Sequence, residues 1–165
     1  DMSSTPSKWG LIQSITLLRI LIGWHFLYEG IVKVYNPDWT SFGYLATAQG
    51  PLKPVFRALT SEAVLPWVDT LNWAALIFVG ITLILGLFER AGALVGVGLL
   101  LLYYLAHPSW PGMPQINTEG SYWIVNKNLI EAVACLVLFY SPTGNVFGLS
   151  RIFSKNKATS KTELT

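Results

Sequence analysis

The sequence has 165 residues, enough for one domain of the usual 100–200 residues or so. Hydrophobic residues make up 52% of it and charged residues only 12%, whereas soluble domains carry about 25% charged residues. This composition excludes a disordered chain and argues against an ordinary soluble domain, because both need more charge. The single cysteine excludes an internal disulfide and a cysteine-rich zinc site, and a net charge of +2 does not suggest nucleic-acid binding. The composition therefore predicts a membrane protein.

Four apolar segments are each long enough for a transmembrane helix of about 17–25 residues. Gaps in the charge pattern and the positions of prolines place two of these helices near 66–88 and 91–107. A third lies near 11–34 although it carries charged residues, and the last lies near 122–140 and ends before Pro142. The sequence thus predicts an all-α integral membrane four-helix bundle. The bundle forms a single domain over residues 1–150, followed by a short basic tail over residues 151–165.

Two loops on the predicted outer side differ in composition. Residues 35–65 contain aromatic and aliphatic side chains at short intervals, which predicts two short interfacial helices, near 40–48 and 52–58, over the mouth of the bundle. Residues 108–121 hold three prolines and two glycines, which predicts an irregular loop.

The distribution of basic residues predicts the orientation. With four spans, both termini share one side of the membrane, and that side holds six basic residues. They are Lys8, Arg90, Arg151, Lys155, Lys157 and Lys161. The loops of the opposite side hold Lys53 and Arg57. By the positive-inside rule, both termini lie in the cytoplasm and the chain is a multi-pass protein of the cell's inner membrane.

The polar residues of the first predicted helix share one face. His25, Glu29 and Lys33 follow at intervals of four, and Arg19 falls on the same stripe. In the fourth helix a second stripe holds Lys127, Asn128, Glu131 and Cys135. At about 1.5 Å per residue, the two stripes reach the same depth in the outer half of the bundle. Polar groups are costly there, so the matched stripes predict a functional pocket.

A structural interpretation of each residue stays open beside the pocket. Arg19 is expected to form an internal structural ion pair, and Glu29–Lys33 and Lys127–Glu131 can each neutralise themselves as helical pairs. His25 by itself is consistent with a structural histidine in the core whose ring nitrogens are hydrogen-bonded. Cys135 fits a small core residue, and the Gly92-x-x-x-Gly96 spacing fits close helix approach without chemistry.

Four segments together resemble the DoxX/DoxD family of membrane proteins. In chain order they are LLRILIGWHFLYEGIVKV (17–34), SFGYLATAQGPLKPVF (41–56), GLFERAGALVG (86–96) and NKNLIEAVACLVL (126–138). The resemblance implies a four-helix membrane bundle. It also implies a relation to the DoxD-type subunit of thiosulfate:quinone oxidoreductase, an enzyme that passes electrons from thiosulfate to membrane quinone and pairs the bundle with a second subunit.

The first functional hypothesis is a membrane subunit of a quinone-linked oxidoreductase, with quinone as its cofactor. The candidate acid–base groups are Glu29, Glu131 and His25, because quinone chemistry moves protons as well as electrons. The candidate quinone-binding residues supply hydrogen bonds, charge or flat aromatic surface. They are Arg19, Trp24, Tyr28, Lys33, Tyr103, Tyr104, His107, Lys127 and Asn128.

Two alternatives compete with this hypothesis. In one, the chain is a non-catalytic membrane subunit, and its outer loops dock an envelope partner. In the other, which we rank last, His25 and His107 are the axial ligands of a haem b, although His107 stands awkwardly beside the helix-ending Pro108. The expected partners are membrane lipid and a second subunit or another copy of the chain, and no metal site is predicted.

Overall fold

The computed structural model describes residues 8–115 and 120–153, and helices dominate both ranges. The helices in chain order are α1 (Lys8–Tyr35), α2 (Phe42–Ala46), α3 (Lys53–Ala58), α4 (Leu65–Leu85), α5 (Glu89–Ala106), α6 (Lys127–Tyr140) and α7 (Gly144–Phe147). The described residues contain no strand beyond isolated bridges within 122–125. The predicted all-α class is confirmed.

Within the described ranges, α1, α4 and α5 are long and apolar enough to cross a membrane. Helix α6 has 14 residues and is shorter than these three. The chain is therefore a helical membrane protein with three candidate spans, and a fourth span stays a prediction.

The turn between α4 and α5 covers residues 86–88 and so lies earlier than the predicted turn at 89–90. Helix α4 ends at Leu85 because Gly86 adopts a left-handed conformation (φ 62°) and closes the helix. Helix α5 begins at Glu89, two residues before the predicted start at 91. The prediction left this charged residue outside the helix, but its carboxylate pairs with Arg19 inside the bundle.

Helix α6 begins at Lys127, five residues after the predicted start at 122. Asn126 has an extended backbone, and its Oδ1 accepts a hydrogen bond from the Leu129 N–H at 3.1 Å. This is the geometry of an N-cap, which ends helical structure on its N-terminal side. Residues 122–125 form a small turn instead, closed by bonds between the backbones of Tyr122 and Val125.

The long helices pack as a bundle in which α1 lies against α4 and α5 lies against α6. The shared core includes Phe26, Val79, Leu83, Cys135 and Leu138. Small residues allow close approach of the backbones, as in other membrane bundles. A Cβ added to Gly80 would lie 2.5 Å from Leu27 Cβ, and one added to Gly92 would clash with the Thr82 hydroxyl.

We call the end of the bundle covered by α2 and α3 the loop side, and the end with the α4–α5 turn the turn side. The short helices rest on the loop side through a second apolar cluster that includes Leu45, Phe56 and Ala106. Ser41 bonds to Asp69 of α4 through its backbone N–H and its hydroxyl. The prediction of two short helices over the bundle mouth is confirmed, with narrower bounds.

The remaining connections are irregular or only partly described. Residues 108–115 contain turns and bends without a helix, as predicted for this proline-rich loop. Residues 116–119 of the loop lie outside the described residues. Most of the predicted basic tail, 154–165, lies outside them as well.

Candidate ligand site on the loop side

A cavity of about 340 Å³ opens on the loop side among α1, α4, α5 and the start of α6. We call it the loop-side cavity. Its apolar lining is formed by Phe26, Leu76 and Leu100, and the aromatic rings of Trp39 and Tyr44 add flat surface. Side chains with hydrogen-bonding groups line the rest, so the cavity suits a ligand with an apolar body and polar ends.

A histidine and a glutamate join α1 to α6 beside this cavity. His25 Nδ1 lies 2.6 Å from Glu131 Oε1, and the Glu131 side chain is 11% exposed. Glu131 therefore faces the bundle interior and has a partner other than Lys127, as the matched stripes predicted. Its second oxygen, Oε2, is buried and makes no hydrogen bond within the described part of the chain.

A second ion pair lies within α1 nearer the cavity mouth. Lys33 Nζ donates to Glu29 Oε2 at 2.7 Å, and the two residues are one helical turn apart. The ammonium also lies 5.4 Å from the centre of the Trp39 ring, a cation–π distance. The Glu29–Lys33 pair is thus internally neutralised, as one interpretation of the sequence held.

Tyr44 ties α2 to α5 above the cavity. Its hydroxyl donates to the Tyr103 carbonyl at 3.0 Å, and burial raises the pKa of Tyr44, so the hydroxyl keeps its proton. The Tyr103 hydroxyl in turn accepts from Asn72 Nδ2 at 2.8 Å. Asn72 Oδ1 is buried without a hydrogen-bond partner among the described residues, so an acceptor is left beside the cavity.

Arg19 lies on the turn side, away from this cavity, in a group of contacts that we call the turn-side cluster. The guanidinium is 1% exposed and contacts Glu89 at 3.2 Å, the Thr143 hydroxyl at 3.0 Å and the Phe147 carbonyl at 2.6 Å. Glu89 also accepts from the backbone N–H groups of Thr143 and Gly144. The expected structural ion pair of Arg19 is confirmed, and its partner belongs to another helix.

The structure brings together some of the predicted site residues. His25, Glu29, Lys33, Tyr103, Lys127 and Asn128 line the loop-side cavity. Glu131 joins them through His25. The two polar stripes therefore meet at one height, apart from Arg19.

The other predicted site residues point elsewhere. Trp24 and Tyr28 are 59% and 56% exposed on the outer surface of α1. The Tyr104 hydroxyl donates to the Ile124 carbonyl at 2.5 Å. His107 lies behind Tyr44, with its Nε2 2.9 Å from the Tyr44 carbonyl oxygen. Of the two histidines proposed as haem ligands, His25 alone lines the loop-side cavity.

Several lining residues were missed by the sequence reasoning, namely Trp39, Ser41, Tyr44, Asn72 and Asn126. One signal was readable: Asn126 directly precedes an apolar helical run, which is the pattern of an N-cap. Asn72 and Tyr44 carry no such signal, because only the packing of α2 and α4 brings them to the cavity. Within the described residues, no three His, Cys, Asp or Glu side chains group as metal ligands.

Comparison with known families gives one match. The family model described as DoxX matches residues 14–108, which cover most of α1 and all of α2 to α5. The match ends before α6, so Asn126, Lys127 and Glu131 lie outside it. Neither the curated proteins nor the solved structures give a match to the chain.

Proposed function

Because the chain belongs to the DoxX family of membrane proteins, we propose that it is a membrane subunit of a quinone-linked oxidoreductase system and binds a quinone head group in the loop-side cavity. The volume of about 340 Å³ falls at the small end of the range for ligand pockets, about 300–1,000 Å³. A ring fits this space, whereas a long isoprenoid tail would extend out of it. The apolar lining and the Trp39 and Tyr44 rings suit a flat conjugated body.

The observation that carries the proposal is the bond between His25 and Glu131 at 2.6 Å beside an apolar cavity. Reduction of a quinone carbonyl requires protons as well as electrons, and an imidazole backed by a carboxylate supplies them. In this role His25 gives a proton to a ligand oxygen, and Glu131 orients the ring and stabilises its protonated form. Glu29 is the carboxylate that itself lines the cavity, and we propose it as a reserve proton carrier.

The electrons come from outside the chain in this proposal. The sequence has no glycine-rich dinucleotide loop and only one cysteine, and Cys135 is buried in the core. A second subunit or the substrate itself delivers the electrons, as in the thiosulfate:quinone oxidoreductase that the resemblance suggests. We further propose an inner-membrane location with cytoplasmic termini, so that the loop-side cavity opens toward the periplasmic face.

The first experiment measures binding. Decylubiquinone and menadione are added separately to the purified protein in detergent, and we expect at least one of them to raise the melting temperature, because a ligand that binds only the folded state stabilises it. If neither quinone changes the melting temperature, the proposal fails and the non-catalytic docking subunit becomes the leading interpretation.

The second experiment measures turnover with the natural partner present. Glu131→Gln removes the carboxylate that orients the His25 ring and stabilises its positive charge, but it keeps the shape of the side chain. We therefore expect quinone reduction to slow by about 10²–10⁴-fold. Glu29→Gln tests the second carboxylate in the same assay. Glu62→Gln is the matched control, because Glu62 is exposed on the loop before α4 and does not line the cavity. Wild-type rates in both cavity variants would contradict the acid–base role.

A further inference from the structure

We infer that an acceptor oxygen of the ligand docks at the start of α6, where it receives a hydrogen bond from Asn126 Nδ2. The inference rests on the proposed function and deepens it, because it assigns a specificity-determining residue and the orientation of the bound ring. Asn126 is not among the residues that the sequence pattern predicted for the site.

The amide of Asn126 has one end in use and one end without a partner. Its Oδ1 accepts the Leu129 N–H at 3.1 Å and so caps α6. This bond fixes the orientation of the amide, since only the oxygen can accept. Asn126 lines the cavity and is only 2% exposed. Its Nδ2 is buried and has no hydrogen-bond partner within the described residues. A buried donor without an acceptor is costly, and a ligand oxygen would remove that cost.

The surroundings of Asn126 favour an electron-rich oxygen. Lys127 and Asn128, the first two residues of α6, also line the cavity. The first amides of a helix lack intrahelical acceptors, and the helix dipole places partial positive charge there. An oxygen that gains negative charge as its ring is reduced is stabilised by this end of the cavity more than by the apolar lining opposite.

The rest of the cavity lining determines the chemical class of the ligand to which that oxygen belongs. Phe26, Leu76 and Leu100 offer no polar group, and Trp39 and Tyr44 offer ring surfaces. Lys33 is already neutralised by Glu29, and Glu131 adds a carboxylate bonded to His25. A small inorganic dianion would leave the apolar lining uncovered and would lie near two carboxylates. The ligand class is therefore a neutral conjugated ring with a carbonyl oxygen.

The sharpest test is Asn126→Asp, with the dissociation constant of menadione measured on the purified protein in detergent. Aspartate is as good an N-cap as asparagine, so the bond to Leu129 and the fold are retained. The donor becomes a carboxylate oxygen that repels the ligand oxygen, and we expect the dissociation constant to rise at least about tenfold. Asn145→Asp is the matched control, because it makes the same charge change at an exposed position of α7 on the turn side.

A second variant, Asn126→Ser, tests the same hydrogen bond if Asn126→Asp does not fold. Asn126→Ser keeps a capping oxygen without adding charge and shortens the side chain, so its hydroxyl is withdrawn from the Nδ2 position. We expect weaker menadione binding than in the wild type with an unchanged melting temperature of the free protein. Wild-type affinity in a folded Asn126 variant would overturn the docking of the ligand oxygen on Asn126 while the proposed function stands.

Two further outcomes would count against the quinone ligand itself. If the wild type binds no menadione and no decylubiquinone, both proposals are overturned together. If thiosulfate raises the melting temperature of the wild type and Asn126→Asp abolishes that effect, the site takes an inorganic oxyanion. That result would overturn the assignment of a conjugated ring.

Discussion

The turn-side cluster and the loop-side cavity both place charged side chains inside a membrane bundle, but they satisfy them differently. On the turn side, Arg19 and Glu89 are 1% and 8% exposed at their side chains, and both carboxylate oxygens accept hydrogen bonds. On the loop side, Glu131 Oε2, Asn72 Oδ1 and Asn126 Nδ2 are buried without partners in the described part of the chain. On the turn side, Arg19 Nε is the corresponding atom of the ion pair, so the imbalance is one open polar atom in the turn-side pair against three beside the loop-side cavity, among the residues that the structure describes.

This difference indicates what each region is for. In the turn-side pair, both terminal nitrogens of Arg19 and both oxygens of Glu89 are bonded. Such a pair holds elements together, and removing one member leaves an uncompensated charge. Polar atoms left open beside a cavity are groups that a bound ligand can complete. Substitutions on the turn side should therefore affect stability, and those on the loop side should affect ligand binding.

The largest loss of stability is expected for Arg19→Ala. The substitution leaves Glu89 buried without its cation, and breaking a buried pair in this way costs about 3–5 kcal/mol. Chemical or thermal unfolding in detergent measures the change, and the double variant Arg19→Leu with Glu89→Leu should recover much of it. A melting temperature that does not move in Arg19→Ala would contradict the structural role of the cluster.

The next largest loss is expected for Thr143→Val, which keeps the shape of the side chain but removes the hydroxyl that accepts from Arg19 Nη1 at 3.0 Å. A hydrogen bond to a charged group contributes about 1.5–3 kcal/mol, so the same unfolding assay should show a loss in that range. Thr143→Ser restores the hydroxyl and should restore most of the stability. Equal losses in the valine and serine variants would show that packing, and not this bond, is responsible.

On the loop side, Tyr44→Phe is expected to cost only about 0.5–1.5 kcal/mol, the usual net value of one hydrogen bond. The variant loses the bond from the Tyr44 hydroxyl to the Tyr103 carbonyl but retains the ring contact with His107 at 4.3 Å. Because α2 is then held less firmly over the cavity, the dissociation constant of menadione should rise by a few-fold. If Tyr44→Phe destabilises the protein as much as Arg19→Ala, the contrast between the two regions is wrong.

The smallest effect is expected for Lys33→Met. The Glu29 side chain is 46% exposed, and the two residues of the pair lie one helical turn apart. Loss of this ion pair should therefore lower the unfolding free energy by less than about 1 kcal/mol. The measurement is the unfolding free energy at two salt concentrations, since an exposed pair is screened by salt. If Lys33→Met lowers the unfolding free energy by more than Tyr44→Phe does, and by the same amount at both salt concentrations, the pair behaves like the buried turn-side cluster and this prediction is wrong.

The sequence predicted the helical elements well, because their signals are local. Long uncharged stretches marked α4 and α5, and the intervals of four between His25, Glu29 and Lys33 correctly indicated a shared face of α1. Arg19 shared that face on a helical wheel, but it precedes His25 by six residues, or about 9 Å along the axis. Its partner Glu89 belongs to a turn that only the packed bundle brings near.

Other features of the site depend on tertiary packing and had no local signal. Trp24 and Tyr28 flank the polar stripe in sequence, yet each is turned away from it on α1 and is exposed. Tyr44 and Asn72 reach the cavity only because α2 folds back over α5 and α4. Asn126 was readable as a helix start, but the helix was predicted to begin near Tyr122, and the role of Asn126 as a cap was missed.

The length of α6 bears on how the protein fits its bilayer. Fourteen residues of helix span about 21 Å, less than a hydrocarbon thickness of about 30 Å, so the α6 helix alone is too short to cross a bilayer. A fourth span would have to include non-helical backbone before α6, and such backbone must find partners inside the protein. Tyr122 N–H donates to the Val125 carbonyl at 2.9 Å, and the Tyr104 hydroxyl donates to the Ile124 carbonyl at 2.5 Å. The Tyr104 hydroxyl thus supplies a partner, from another helix, for one carbonyl of the irregular stretch that precedes α6.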